Sequence, residues 1–86
     1  MQSNSTVQIR IEAYGAVEKL LPSNLVIQSP LHTDIGSALN QVATLYPEAK
    51  VLIERCACAV GEDILPRHTR IHHELTLVLL SPVAGG

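Results

Sequence analysis

The stretch LTLVLLSPVAGG, residues 75–86, decides the predicted fold. Residues 75–80 are almost continuously apolar, which is typical of a strand covered on much of both faces in the middle of a sheet. Pro82 then removes a backbone donor and is expected to end the pairing. Two final glycines follow, and they have no evident structural role because glycine is costly to order. The sequence therefore predicts a central strand that leads directly into a flexible tail at 82–86.

Composition and length indicate one small folded domain spanning residues 1–86. The chain is 47% apolar and 16% charged, a balance typical of folded proteins. Its formal net charge is -2 and its basic residues are scattered, so we expect no nucleic acid partner. Phe and Trp are absent and only Tyr14 and Tyr46 are aromatic. The core is therefore predicted to consist of Leu, Ile, Val and Ala.

The N-terminal segment MQSNST, residues 1–6, is polar and is predicted to be disordered. It has neither the positive start nor the apolar stretch of a signal peptide, and no apolar run reaches the ~20 residues of a membrane span. We therefore expect a cytoplasmic protein without a membrane partner. In that compartment Cys56 and Cys58 would stay reduced.

Hydrophobic spacing predicts two strands followed by one helix. Residues 7–13 alternate apolar and polar side chains, which is the period of a half-buried strand. A second strand at 25–28 follows the turn-forming PSN segment at 22–24. Apolar residues then recur at helical spacing between Thr33, which can cap the start, and Pro47, which forces the end.

Three further segments complete the predicted sheet. CACAV at 56–60 indicates a third strand, GED at 61–63 its turn, and residues 64–65 a short edge strand before Pro66. Residues 67–74 are polar and loop-like. The order β, β, α, β, short β, β predicts an α+β protein with β-grasp (ubiquitin-like) architecture. Its mixed sheet would have four to five strands, with one main helix covering one face.

Several side chains could in principle be reactive, but structural explanations account for them. Cys56 and Cys58 are expected to be buried thiols on one strand face, since structural zinc sites need four ligands and usually Cys-x-x-Cys spacing. The four histidines are expected to be solvated loop residues. Glu62 and Asp63 are adjacent in a turn, and Ser81 has no base partner in sequence. We therefore predict no metal site and no catalytic machinery of the chain's own.

The reactive group of the sequence is the carboxylate of Gly86. It is ionised at neutral pH and is a poor electrophile. If a partner enzyme converts it to a mixed anhydride with AMP, its carbonyl becomes open to attack by sulfide, persulfide or amine. Gly85 and Gly86 have no Cβ, so such an end can enter a narrow active-site channel.

The order of strands and helix, together with the ending LLSPVAGG, resembles the small subunit of molybdopterin synthase, a ubiquitin-like sulfur carrier of the MoaD/ThiS family. The resemblance covers nearly the whole chain from Val7 onward. It implies that Gly86 is adenylated and then thiocarboxylated, with Gly85 beside it in the partner's active site. The sulfur would then pass to a cyclic pyranopterin precursor in molybdenum cofactor biosynthesis.

The resemblance also implies the partners. The first is the molybdopterin synthase large subunit, which would form a heterotetramer with this chain and supply the catalytic groups. The others are an adenylyltransferase similar to ubiquitin-activating enzymes and a sulfur donor enzyme. ATP and Mg²⁺ would be used by the activating partner, and no cofactor would be bound by this chain. The chain is therefore expected to be a non-catalytic subunit and protein co-substrate.

Side-chain parity predicts a partner-binding surface beside the tail. If alternate leucines of the last strand face the helix, the residues between them point away from it, alongside Tyr14 of the first strand. An apolar patch of this kind would mark an interaction site. The predicted partner-binding residues are Tyr14, Val78, Leu80, Pro82, Val83 and Ala84.

Two positions depart from the family pattern, and other functions stay open. Glu18 and Lys19 reverse the order of the Arg-Glu pair that the family usually carries after the first strand. Gly61 replaces an Asn at a turn, and both residue types suit a turn position with a positive φ.

The alternative functions are a sulfur carrier for thiamine or another pathway, a ubiquitin-like modifier joined to lysines, and a binding module whose final glycines are incidental.

Overall fold

The computed structural model describes residues 5–82, which form a five-stranded mixed sheet covered on one face by helices. The sheet order is β2-β1-β5-β3-β4, with β5 in the centre and parallel to β1, while the other pairings are antiparallel. The predicted β-grasp fold with a central last strand is confirmed. The strands are β1 Thr6–Tyr14, β2 Leu25–Pro30, β3 Ala57–Val60, β4 Asp63–Ile64 and β5 Leu75–Leu80.

Two α-helices and two short 3-10 segments complete the fold. The α-helices are α1 Ile35–Leu45 and α2 Lys50–Arg55, and the 3-10 segments are Gly15–Leu20 and Pro47–Ala49. Pro47 ends α1 as predicted, but it also begins a 3-10 turn that leads into α2, which the sequence analysis did not predict. Within the described residues, no helix is long and apolar enough to cross a membrane.

The core lies between the sheet and the helices and is aliphatic, as predicted. β1 contributes every second side chain, the helix α1 contributes residues spaced by three or four, and β5 contributes Leu77 and Leu79, both with 0% exposure. Burying a side chain of this size stabilises the fold by roughly 1.5–3 kcal/mol. Cys56 and Cys58 are also buried, and both thiols are free.

The ends of several elements differ from the predicted ones. Thr6 begins β1, and the carbonyl of Ser5 accepts from Leu31 N at 2.6 Å, so the predicted disorder of 1–6 is wrong for these two residues. β2 continues past residue 28 because Ser29 and Pro30 still pair with β1, and the buried Ser29 hydroxyl donates to Gln41 Oε1 at 2.8 Å. β4 covers 63–64 instead of 64–65, while Gly61 has the positive φ expected of the turn.

The start of α1 is also shifted by one residue. Its N-cap is Asp34 and not Thr33, because the Asp34 side chain accepts from Ser37 N at 2.7 Å. The pKa of Asp34 is lowered, mainly by this backbone hydrogen bond. The first two N–H groups of the helix donate to the connection after β4, Ile35 N to Thr69 O and Gly36 N to Arg67 O.

The connection 67–74 is more ordered than its polar sequence indicates. Ile71 is 1% exposed and belongs to the core, and its N–H donates to Thr33 O at 2.8 Å. Arg67 donates through Nη2 to three carbonyls at the end of α2, those of Ile53, Glu54 and Cys56. These contacts satisfy backbone acceptors that a helix end leaves unpaired.

Candidate functional site

The candidate site is the end of the sheet at which the central strand β5 finishes. In the parallel register of β1 and β5, Tyr14 lies opposite Leu80 and Glu12 opposite Val78. Side chains alternate along a strand, so the fully buried Leu77 and Leu79 face the helices and their neighbours face the opposite side. Tyr14, Val78 and Leu80 therefore lie together on the helix-free side of the sheet.

This side of the sheet carries a group of apolar side chains that we call the apolar face. Tyr14 is 52% exposed, Val78 and Leu80 are half-buried, and Ile64 on the edge strand is 63% exposed. Ile64 shares this side because it pairs with Ala59, which in turn pairs with Val78. The apolar face consists of Tyr14, Ala57, Ile64, Val78 and Leu80.

Sequence reasoning did not include Ile64 or Ala57 in the partner surface. The two-residue strand β4 is too short to show alternation, and the parity of β3 relative to β5 depends on a register that is visible only in the folded sheet. The position of Ile64 directly after a tight turn was the one sequence signal that it lies on an exposed edge strand. Pro82, which was predicted to bind partners, is exposed and follows the apolar face.

Ser81 fixes the point at which the chain leaves the sheet. Its backbone N–H donates to Tyr14 O at 3.1 Å, and its Oγ accepts from Val17 N at 3.0 Å. Val17 is fully buried, so the Ser81 hydroxyl satisfies a backbone donor that water cannot reach. The Cys56 thiol lies 3.9 Å from the same oxygen.

Gly15 makes the close approach of Ser81 possible. Its φ is +85°, a conformation that other residues rarely adopt. A Cβ placed on Gly15 would lie 2.7 Å from the Ser81 Cβ. The turn after β1 and the end of β5 therefore touch at a point where only glycine fits.

Acidic groups lie beside the apolar face. The Tyr14 hydroxyl donates to Glu12 Oε1 at 3.3 Å, and the charge of Glu12 raises the pKa of Tyr14, with the hydrogen bond and Glu18 adding to the shift. Both carboxylates line a cleft of about 280 Å³ between the end of β1 and residues 21–24. The phenol is therefore neutral at physiological pH, next to a negatively charged rim.

Other candidate reactive groups do not form a catalytic arrangement in residues 5–82. Burial raises the pKa of both cysteine thiols, which makes them poor nucleophiles. That part of the chain contains no group of three or more His, Cys, Asp or Glu side chains able to hold a metal ion. His32 and His72 approach each other, which the sequence analysis did not anticipate. Val83, Ala84, Gly85 and Gly86 lie outside the described residues, so their predicted roles stay predictions.

Comparison with solved structures gives three informative neighbours. SAMP1 from Haloferax volcanii has a TM-score of 0.74 at 12% identity, over 92% of this chain and 99% of that one. A putative molybdopterin converting factor, subunit 1, from Pyrococcus furiosus has a TM-score of 0.77 at 10% identity, over 90% and 99%. The ubiquitin of Caldiarchaeum subterraneum has a TM-score of 0.64 at 15% identity, over 94% and 99%. These likenesses establish the ubiquitin-like fold.

Sequence comparison places the chain in a family. None of the curated proteins matches it at a significant level. The model of the ThiS family matches residues 11–86, which is most of the sequence. The chain therefore belongs to the ThiS family, whose members have the ubiquitin-like fold of sulfur carriers and protein modifiers.

Proposed function

We propose that this ThiS-family chain is a sulfur carrier, the small subunit of molybdopterin synthase, and that its chemistry takes place at Gly86. The observation that carries the proposal is the arrangement around Ser81. Ser81 is held by contacts with Tyr14 and Val17, directly beside an exposed apolar face. The four residues that follow Pro82 contain no side chain larger than valine. A folded body that presents a small-residue end next to a docking surface suits a protein co-substrate.

The proposed reaction needs little from the chain itself. In an activating enzyme, a carboxylate oxygen of Gly86 attacks the α-phosphate of ATP and displaces pyrophosphate, giving an acyl-adenylate. Hydrosulfide from a sulfur donor enzyme then adds to the acyl carbon and AMP leaves with the original C–O oxygen, so a thiocarboxylate and a proton are produced. With a persulfide as donor, a thiol must afterwards cleave the S–S bond.

The final step would transfer the sulfur in the large subunit of molybdopterin synthase. The thiocarboxylate sulfur would attack an electrophilic carbon of the cyclic pyranopterin precursor and displace an oxygen substituent of that carbon, which leaves as water or as a phosphate oxygen. Water would then hydrolyse the acyl-sulfur bond, which leaves the sulfur on the precursor and returns Gly86 to its carboxylate. The Pyrococcus furiosus neighbour and the ending LLSPVAGG support this destination. ATP, Mg²⁺ and the catalytic groups would belong to the partners.

The apolar face is the proposed docking surface for the large subunit. It adjoins the start of the tail, and the side chains of Tyr14 and Ile64 are 52% and 63% exposed. Burying them against a partner would contribute roughly 25 cal/mol per Å² of apolar surface. The acidic rim formed by Glu12 and Glu18 favours a partner surface with basic side chains beside its apolar centre.

Intact-mass measurement tests the carrier function. Incubation with a ubiquitin-activating-like adenylyltransferase, a sulfur donor enzyme, ATP and Mg²⁺ should add about 16 Da, because one oxygen of the terminal carboxylate is replaced by sulfur. Deletion of Gly86 should abolish the gain while leaving the thermal transition unchanged. A mass gain that survives this deletion would show that Gly86 is not the acceptor.

Binding to the large subunit tests the docking surface separately. Ile64→Asp should weaken that binding, because it places a charge in the apolar face. Val51→Asp is the matched control, since Val51 is 58% exposed but lies on α2, on the helical side of the molecule. Equal effects of the two substitutions would argue against docking through the apolar face.

Protein modification is the second candidate, and the structural likeness to SAMP1, a small archaeal modifier protein, favours it. In that case lysines of target proteins would carry the chain through Gly86. Arg70 is the last tryptic site of the sequence, so a modified lysine would carry residues 71–86 after digestion. Detection of such branched peptides, without sulfur transfer to the pyranopterin precursor, would favour the modifier function.

A further inference from the structure

Two histidines from distant parts of the sequence meet on the surface, away from the apolar face. His32 lies between β2 and α1, and His72 lies between β4 and β5. Their Nδ1 atoms are 2.9 Å apart, and the rings meet edge to face with centroids separated by 5.0 Å. Both residues are exposed, so the pair is accessible to small solutes.

The backbone around the pair is held in place by several contacts. His32 N donates to Ile71 O at 2.9 Å, and Ile71 N donates to Thr33 O at 2.8 Å. Arg70 donates through Nη1 to His32 O, also at 2.9 Å. His32 has a φ of +68°, a conformation uncommon outside glycine, which these contacts maintain. The backbone of His32 is therefore held both by its own turn, in which Thr33 N donates to Pro30 O at 3.1 Å, and by contacts with the connection before β5.

We propose that His32 and His72 form a binding site for one divalent transition metal ion that prefers right-angled nitrogen ligands, Ni(II) or Cu(II). Imidazole nitrogens lie roughly 2.0–2.1 Å from such a metal, so two of them at 90° are about 2.9 Å apart, and about 3.3 Å at a tetrahedral angle. The observed 2.9 Å is the length of the hydrogen bond between the rings, and it coincides with the first value, so an ion could replace that bond while the two nitrogens keep their present separation. Tetragonal coordination by nitrogen and oxygen is typical of Cu(II) and Ni(II), whereas zinc prefers the tetrahedral arrangement.

Metal binding would replace the contact between the rings. In the metal-free pair, one Nδ1–H donates to the lone pair of the other Nδ1. Binding requires both Nδ1 atoms to be free of protons, so the donor ring changes tautomer and both rings then carry their proton on Nε2. Because no cluster of three protein ligands exists in residues 5–82, water would fill the remaining positions. The site would therefore be open and exchangeable.

One nearby charge opposes binding and another reduces its effect. The guanidinium of Arg70 is next to His32 and repels a cation. The backbones of Asp34 and Arg70 pair in an isolated β-bridge, so the Asp34 carboxylate lies near the guanidinium, whose charge adds to the Ser37 hydrogen bond in lowering the pKa of Asp34, and it reduces the local positive charge. The expected affinity is therefore below that of a closed metal site with four protein ligands. The bound ion would link the connection before α1 to the connection before β5.

Calorimetric titration of the full-length, untagged protein with NiCl₂ tests this site without any partner enzyme, so its outcome is independent of the proposed function. We expect one Ni(II) per chain. His32→Asn and His72→Asn should each weaken binding at least about tenfold, since the second ligand of a chelate acts at high effective concentration. Asn tolerates a positive φ, which protects the fold of the His32 variant. His68→Asn and His73→Asn are the matched controls and should bind as the original protein does.

Thermal unfolding provides the second measurement. The midpoint should rise with Ni(II) concentration in the original protein and in both controls, but not in the two pair variants. Circular dichroism without metal confirms that each variant folds. Equal weakening by all four substitutions, no binding at about 1 mM Ni(II), or several ions bound per chain would overturn the site. Tighter binding of Zn(II) than of Ni(II) would overturn the right-angled geometry.

Discussion

Replacing Gly15 by alanine should destabilise the protein more than any other single methyl addition at a turn. The backbone of Gly15 has a φ of +85°, and a left-handed conformation costs an L-residue about 1–2 kcal/mol. The added Cβ would also lie 2.7 Å from the Ser81 Cβ and 3.1 Å from its Oγ, an overpacked contact that typically costs about 1–3 kcal/mol. The two effects together predict a loss of about 2–5 kcal/mol.

Gly61→Ala is the matched control for the conformational part of this cost. Its φ is +62°, but a Cβ at this position would meet nothing within 4 Å. Only the strain of about 1–2 kcal/mol should appear. The difference between the two variants therefore isolates the contact with Ser81.

Urea unfolding followed by far-ultraviolet circular dichroism measures both variants, because the sequence has no tryptophan to report by fluorescence. Ser81→Gly removes the Cβ that the new methyl group would strike, so Gly15→Ala should cost less in that background. The expected coupling is about 1–3 kcal/mol. Equal losses for Gly15→Ala and Gly61→Ala, with no coupling to Ser81→Gly, would refute the close approach of these two segments.

Three further predictions concern other parts of the fold. The folded-state pKa of Asp34 is lowered by its hydrogen bond from Ser37 N. The contribution of Asp34 to stability is therefore complete above the unfolded pKa of about 3.9 and is lost as pH falls through the lower folded pKa. Asp34→Asn, which keeps a capping side chain, should flatten this part of an acid-unfolding curve. Arg67→Met should lower the free energy of unfolding by about 1.5–3 kcal/mol in urea titrations, because carbonyls at the end of α2 lose a charged donor. An unchanged urea midpoint would contradict the role of Arg67 in capping α2. Cys56 and Cys58 should react slowly with a disulfide reagent in the native protein and rapidly in urea, because burial raises the pKa of both thiols; fast native labelling would contradict their burial.

Strand positions could be predicted from the sequence because alternation is a local property. The period of two in β1 and the continuous apolar run of β5 each identify a strand, and parity correctly placed Val78 and Leu80 on the side away from the helices. The helix α2 could not be predicted in this way. It has only six residues, follows a proline, and has its end capped by Arg67 from a later connection.

The N-cap of α1 also could not be predicted from local sequence, because it depends on contacts with a distant segment. Thr33 and Asp34 are both suitable N-caps by residue type. A cap at Thr33 would be expected to bond Gly36 N, but this group donates instead to Arg67 O at 2.8 Å. Ser37 N is left for Asp34. The choice of cap therefore depends on the connection 67–74, which comes much later in the chain, and so does the meeting of His32 with His72.

The position of Ser81 also limits where a partner's reactive centre can lie. The chain is held at this residue by the Tyr14 carbonyl and the Val17 amide, so the apolar face and the origin of the tail keep a fixed relation to each other. Four residues follow Pro82, and whatever their conformation they span at most about 13–14 Å, at roughly 3.3–3.6 Å per residue. An enzyme that docks on the apolar face must therefore place its reactive atoms within about that distance of Pro82. Under the proposed function, recognition of the folded body and access to Gly86 are a single geometric requirement, and Gly15 and Ser81 contribute to it because they fix the point where the tail begins.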